Sequence, residues 1–277
     1  MPLVGAGLAL LSAGVWGSGD FLGGIAARRA HVFHVLLATA LAGVVFLGLL
    51  AWATGESWPD ASGLVYAVGA GCAGALGLSA LYRGLAGGNA AAVAPTAAVM
   101  TAIGPVLVNA VLVGPPSVTQ SAGFGLALLG IWLVAGASPG QPADHRHLLL
   151  AASAGTGFGI FLVLIAHVNQ QAVFSGLAIA RGVTVVVALL LTATVRAAWP
   201  PLASLPIAMA AGMLDAGGNA LYLLAARYTR LDVAAVLSSL YPISTVALAF
   251  LVDKQTIRGW QWVGAASCLG AVALITA

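Results

Sequence analysis

Apolar runs of about twenty residues, the length that spans a bilayer as a helix, follow one another along almost the whole chain. They lie near 3–25, 31–53, 62–85, 91–112, 119–137, 147–168, 174–198, 203–226, 231–251 and 258–276. In lipid every backbone N–H and C=O must find its partner inside the protein, which leaves helices and closed barrels as the only spanning structures. These runs are long and continuous, not alternating segments of about ten residues, so helices are expected and barrel strands are not. Short turn-forming stretches separate them: Thr54-Gly55-Glu56-Ser57-Trp58-Pro59-Asp60, Gly114-Pro115-Pro116, Ser138 to His147, and Trp199-Pro200-Pro201. The reading is an all-α polytopic membrane protein of ten transmembrane helices.

Composition closes the alternatives. Only 6% of the 277 residues are charged and 61% are hydrophobic, whereas a water-facing surface carries roughly 25% charged residues. No soluble domain fits beside the ten spans. The net charge of +3 comes from ten scattered Lys and Arg, with no basic run longer than Arg28-Arg29, so a nucleic-acid partner is rejected. Cys72 and Cys268 both fall inside spans and read as small apolar residues, without disulfide, metal or other cofactor. Met1-Pro2 offers no basic leader and the first span is full length, so no cleavable signal is expected. Clusters such as Gly69-Ala70-Gly71-Cys72-Ala73-Gly74 let helix backbones approach closely, which predicts a tight bundle.

The chain also repeats itself. Ser12-Ala13-Gly14 recurs as Ser153-Ala154-Gly155, Ala80-Leu81-Tyr82 as Ala220-Leu221-Tyr222, and Gln120 with Gly123 as Gln261 with Gly264, all at spacings of 140 or 141. The matches fall in the first, third and fifth helices of each half. Two five-helix repeats follow, residues 1–140 and 141–277, joined into one transmembrane domain. An odd number of helices makes the second repeat enter the membrane from the opposite face, giving an inverted repeat that can rock about a central site.

Trp16-Gly17 with Phe21, Ala225-Ala226-Arg227-Tyr228, the run Ala234 to Pro242, and Gln261-Trp262-Val263-Gly264-Ala265-Ala266 resemble the drug/metabolite transporter superfamily, in particular its EamA-type members. The resemblance covers nearly the whole chain in helix count and repeat layout. It implies a secondary transporter, in the export direction, of a small polar metabolite, amino acid or drug-like solute, with a cavity lined by helices one to four and six to nine. It further implies a bacterial inner membrane, a proton or other coupling ion, and leaves a homodimer open. The sequence departs from the family where a Gly-Glu pair usually follows the fourth helix: here stands Gly114-Pro115-Pro116, and the second half has Asp253-Lys254. The family places the N-terminus in the cytoplasm. The positive-inside rule points the other way, because Arg28, Arg29, Arg83, Arg146, Arg196, Lys254 and Arg258 would then lie outside against Arg227 and Arg230 inside.

An ionisable side chain within a span costs about 2.5–3.5 kcal/mol on insertion scales and needs a partner or water. Asp20, Arg181 and Asp215 are the three. Asp215, Asn219 and Tyr222 share one helical stripe, as do Ser12, Trp16 and Asp20. The stripe in helix three matching Asp215, Asn219 and Tyr222 is read as Ala75, Ser79 and Tyr82. Arg181 and Asp215 differ in depth by only about 6 Å at helical rise, so they are expected to pair. Asp20 is expected near a membrane face beside His31 and His34, which makes Asp215 the better candidate for the carboxylate on which transport depends. Tyr241-Pro242, like Pro95 and Pro105, removes a backbone bond within a span. The candidate cavity set is therefore Trp16, Asp20, Tyr82, Arg181, Asp215, Asn219, Tyr222 and Tyr241. Gly17-Ser18-Gly19-Asp20 also fits the GxGD pattern of intramembrane aspartyl proteases. That chemistry needs a second carboxylate sharing a proton, no Tyr-Asp motif supplies it, and no HExxH is present. The chain is read as no enzyme; a flippase for lipid-linked substrates is the nearer rival.

Overall fold

The ninth run is the one whose chemistry bends the chain. In a computed structural model, which describes residues 2–86, 90–134, 145–169, 171–195, 205–253 and 259–276, it forms two helices, α9 (Leu231–Ser238) and α10 (Tyr241–Asp253). Pro242 has no N–H to give and its ring crowds the carbonyl four residues back, that of Ser238, where α9 stops. The joint is bridged by tight bonds from Leu240 N to Leu237 O at 3.2 Å and from Ile243 N to Leu240 O at 3.0 Å. Pro242 then sits in the first turn of α10, where a missing donor is harmless. The fourth helix, by contrast, runs unbroken through Pro95 and Pro105.

The other runs form α1 (Pro2–Arg29), α2 (Val32–Thr54), α3 (Ala61–Ala86), α4 (Ala90–Leu112), α5 (Val118–Val134), α6 (His145–Ala166), α7 (Val173–Ala193), α8 (Leu205–Tyr228) and α11 (Gly259–Thr276). Eight spans are long and apolar enough to cross a bilayer, counting α9 with α10 as one, and the apolar stretches of α4 and α5 complete ten. The protein is a polytopic membrane protein of two inverted five-helix repeats. The division placed at residue 140 lies outside the described residues. Helix α1 continues to Arg29, four residues past the expected edge at 25. Helix α2 stops at Gly55, whose φ of 65° is the left-handed conformation that closes its last turn onto Ala51 and Trp52 carbonyls.

The repeats interlock rather than stand side by side. Helix α1 packs most closely on α8, and its counterpart α6 packs on α3; α2 packs on α7 and α5 on α11. Each contact has its mirror under exchange of the halves. The close approaches mirror as well. Gly71 of α3 lies where a Cβ would collide with the Ala180 carbonyl of α7, and Gly212 of α8 lies where one would collide with the Thr39 carbonyl of α2. Both pairs of equivalent residues, 71 with 212 and 39 with 180, are 141 apart. Small residues permit such backbone contact, and in lipid that packing, not exclusion of water, holds helices together. The outer surface is correspondingly apolar, with Leu41, Val45 and Leu49 forming an exposed stripe on α2.

On the face where α1 begins, polar ties cross between the halves. Glu56 Oε2 accepts the N–H groups of Phe174 at 2.7 Å and Ser175 at 3.0 Å, a carboxylate on the positive end of α7. Ser175 Oγ in turn donates to Ser57 O at 2.9 Å. Arg230 donates to the Gly114 carbonyl at 2.9 Å and pairs with the fully buried Asp232. Gly114 has φ 114°, a backbone conformation that a side chain would strain.

Candidate functional site

Helices α1 and α8 run antiparallel at close range, and their contact builds one wall of a central cavity. Ser12 Oγ donates to Gly218 O at 2.8 Å. One turn on, Trp16 Nε1 donates to Asp215 O at 3.2 Å. Gly218 leaves the space for that indole, since a Cβ there would come 2.7 Å from Trp16 Nε1. Trp16 is further fixed by stacking on Tyr222, with centroids 6.1 Å apart, and by an edge contact with Tyr241 at 6.5 Å.

The cavity lies at mid-depth, since the residues that line it fall near the middle of their helices. Trp16 and Asp20 line it from α1, Gly74 and Leu78 from α3, Thr101 from α4, and Phe158, Phe161 and Leu162 from α6. Ala180, Arg181 and Thr184 of α7, Asp215 and Asn219 of α8, and Tyr241 of α10 complete it. Helix α2, expected as a wall, supplies no lining residue among those described. Its role is to make room: the methylenes of Arg181 cross over Gly43, where a Cβ would lie 3.3 Å from Arg181 Cδ.

Arg181 crosses that gap to form an ion pair with Asp215, as their matched depth suggested. The side chains are only 9% and 22% exposed, so each charge depends on the other for compensation. Asn219 Nδ2 donates to the Asp215 carbonyl at 2.8 Å, the same oxygen that Trp16 engages.

Six of the eight candidates from sequence line the cavity: Trp16, Asp20, Arg181, Asp215, Asn219 and Tyr241. Tyr222 is fully buried behind Trp16, and Tyr82 is buried against Gly23 of α1. The expected depth of Asp20 is corrected. Because α1 extends to Arg29, nine residues follow Asp20 within the helix, about 14 Å at helical rise. Asp20 therefore shares the cavity with Asp215, while His31 stays in the loop and caps α2 by accepting from Phe33 N at 3.3 Å. The helix-three stripe is corrected too. Gly74 and Leu78 face the cavity, not Ala75 and Ser79, and Ser79 Oγ turns back to Ala75 O at 2.7 Å. One residue of shift rotates a helical position by about 100°.

Sequence reasoning missed Leu78, Thr101, Phe158, Phe161 and Thr184. A signal for some of them existed in the repeat. At a spacing of 141, Asp20 corresponds to Phe161, Gly74 to Asp215 and Leu78 to Asn219, and all six line the cavity. No group of three His, Cys, Asp or Glu residues that could hold a metal occurs among the described residues. Asp215 faces a guanidinium here, which is not the proton-sharing carboxylate pair a GxGD protease needs.

No curated protein matches the chain. A solved crystal structure aligns with a TM-score of 0.75 over 97% of this chain and 95% of the other, at 19% identity, a likeness of fold. The model of the EamA-like transporter family matches residues 3–136 and again 145–277, once for each five-helix repeat. With both halves matched, the chain belongs to the EamA-like transporter family, membrane transporters of the drug/metabolite transporter superfamily.

Proposed function

We infer that the protein is a secondary transporter that exports a small polar metabolite, amino acid or drug-like solute across a bacterial inner membrane by alternating access. The observation that carries this reading is the mid-depth cavity with Asp20, Arg181 and Asp215 on its walls. Charge at that depth is expensive and marks a solute or ion path, and inverted-repeat transporters bind at the repeat interface. The inter-repeat ties through Glu56 and Arg230 lie on the face where α1 begins. That supports a state closed on that face, to be opened by rocking one repeat against the other. A proton or another ion would drive the cycle, with Asp20 a candidate to carry it.

Purified protein in proteoliposomes tests the reading. A panel of radiolabelled amino acids, amines and nucleosides is offered with and without an imposed proton gradient. Saturable flux above empty liposomes is expected for at least one class, lost in Leu78→Trp, which fills the cavity. Flux unchanged by that substitution in a correctly inserted protein would count against the cavity as the path. Movement of fluorescent lipid without solute flux would favour a flippase instead.

A further inference from the structure

We propose that the face where α1 ends carries a docking site for anionic phospholipid headgroups, built from Arg28, Arg29, His31 and Arg83 where α1, α2 and α3 meet.

The argument starts from how charge is divided between the two faces. Outside the cavity, the carboxylate side chains among the described residues are Glu56, Asp60 and Asp232, all on the face where α1 begins, together with Arg227 and Arg230. The opposite face carries Arg28, Arg29, Arg83 and Arg146. Arg28 and Arg29 end α1, Arg83 lies in the last turn of α3, and all three are exposed. Among the described residues none of these three meets a carboxylate. Unpaired guanidiniums at the depth of the headgroups attract anionic lipid, whose phosphate they can bind in bidentate fashion.

One buried ring ties the patch together. Phe33 is 3% exposed; the Arg83 guanidinium lies over its face, with Cζ 4.8 Å from the centroid, and the His31 ring meets it at 5.2 Å. Stacking of this kind orients the plane of the guanidinium and leaves the N–H groups at its rim for a phosphate. His31 Nδ1 accepts from Phe33 N at 3.3 Å, so in the neutral ring the N–H sits on Nε2. His31 is exposed and brings a further donor to the patch.

Comparison of the repeats shows that the fold does not itself demand cations here. At a spacing of 141, Phe33 corresponds to Phe174, while Arg28, Arg29, His31 and Arg83 correspond to Asn169, Gln170, Ala172 and Leu224. Were basic residues needed only to balance the dipoles at these helix ends, the second repeat would need them as well. The start of α7 instead receives the Glu56 carboxylate on Phe174 N and Ser175 N. The residue equivalent to Glu56 in the second repeat is Ala197. One repeat thus meets its anion within the chain, and the other offers guanidiniums with no carboxylate at the equivalent sequence position. The membrane supplies the missing anion.

The test uses the purified full-length protein in a neutral detergent. Dioleoyl phosphatidylglycerol or dioleoyl phosphatidylcholine is titrated into the micelles, and binding is read by native mass spectrometry and by the rise in melting temperature. Phosphatidylglycerol is expected to bind at least about tenfold more tightly than phosphatidylcholine, with the preference falling as salt is raised. Arg28→Gln with Arg29→Gln and Arg83→Gln should remove most of that preference. The same three positions changed to Lys should keep most of it, because the charge remains. Comparison of the two lipids on the parent protein needs no variant, so a triple variant that fails to fold does not shield the proposal. Glycerol phosphate, the anion without acyl chains, should give no rise at concentrations where the lipid saturates. Equal binding of the two lipids, an unchanged preference in the folded triple Gln variant, or binding of glycerol phosphate as tight as that of the lipid overturns the proposal.

Discussion

Where the first half carries Asp20 the second carries Phe161, and where the second carries Asp215 and Asn219 the first carries Gly74 and Leu78. All six residues line the same cavity. The backbones of the halves are related closely enough that equivalent positions reach one space, yet the side chains placed there differ in charge and size. Arg181 shows the same divergence, its counterpart at the same spacing being Ala40, a buried residue of α2. Rocking one repeat against the other needs related backbones and helix contacts; a solute site needs only a few groups, and nothing obliges them to be symmetric. The halves thus share a frame and divide the chemistry.

That division can be broken most severely at the ion pair. Arg181→Ala leaves Asp215 charged and uncompensated in the bundle, and removing one partner of a buried pair costs about 3–5 kcal/mol. Folded yield and melting temperature in detergent should fall sharply, and Arg181→Ala with Asp215→Ala should recover part of the loss. Full additivity in the double-mutant cycle would mean the pair does not couple.

A smaller effect is expected at the tie between repeats. Glu56→Ala removes a carboxylate bonded to two N–H groups of α7, and a bond to a charged group is worth about 1.5–3 kcal/mol. On the reading that this face is closed, a cysteine placed at Leu78 should label faster from that face in Glu56→Ala than in its parent. Unchanged labelling would leave the tie a local cap and nothing more.

The smallest effects compare equivalent glycines. Gly155 of α6 lies where a Cβ would collide with the Ala97 carbonyl and Met100 Cβ of α4, whereas Gly14, 141 residues earlier, has open space. Gly155→Ala should destabilise by about 1–3 kcal/mol through overpacking, and Gly14→Ala should be neutral or stabilising by up to about 1 kcal/mol from helix propensity. Equal melting temperatures for the two variants would show that the halves tolerate change alike at this level.

Much of this architecture was legible before any coordinates. Ten spans follow from run length because the bilayer fixes how many residues a helix needs, and the matches of Ser12, Tyr82 and Gln120 to their later copies exposed the duplication. Asp20, Arg181 and Asp215 stood out because charge in lipid is costly wherever it sits in the chain. The Arg181–Asp215 pair followed from depth along the helix axis, which sequence position encodes nearly linearly.

What sequence could not decide was rotation about those axes. Whether Gly74 or Ala75 faces the cavity is a matter of one residue and about 100°; neither residue is charged, so no penalty announces its facing. Phe158, Phe161 and Leu78 are apolar in an apolar helix, and lipid and cavity look alike to such side chains until neighbouring helices are in place. Depth was misjudged for Asp20 because no turn-forming residue between Ile25 and Arg29 marks where α1 ends. The sequence alone determined the number of membrane spans, their duplication and the charges to be compensated, since run length and the cost of charge are set by the solvent the chain must live in. Tertiary structure alone decided which stripe of each helix meets the cavity and that Asp20 lines it together with the Arg181–Asp215 pair, because facing is set by the close backbone contacts that glycines such as Gly71 and Gly212 allow between distant segments.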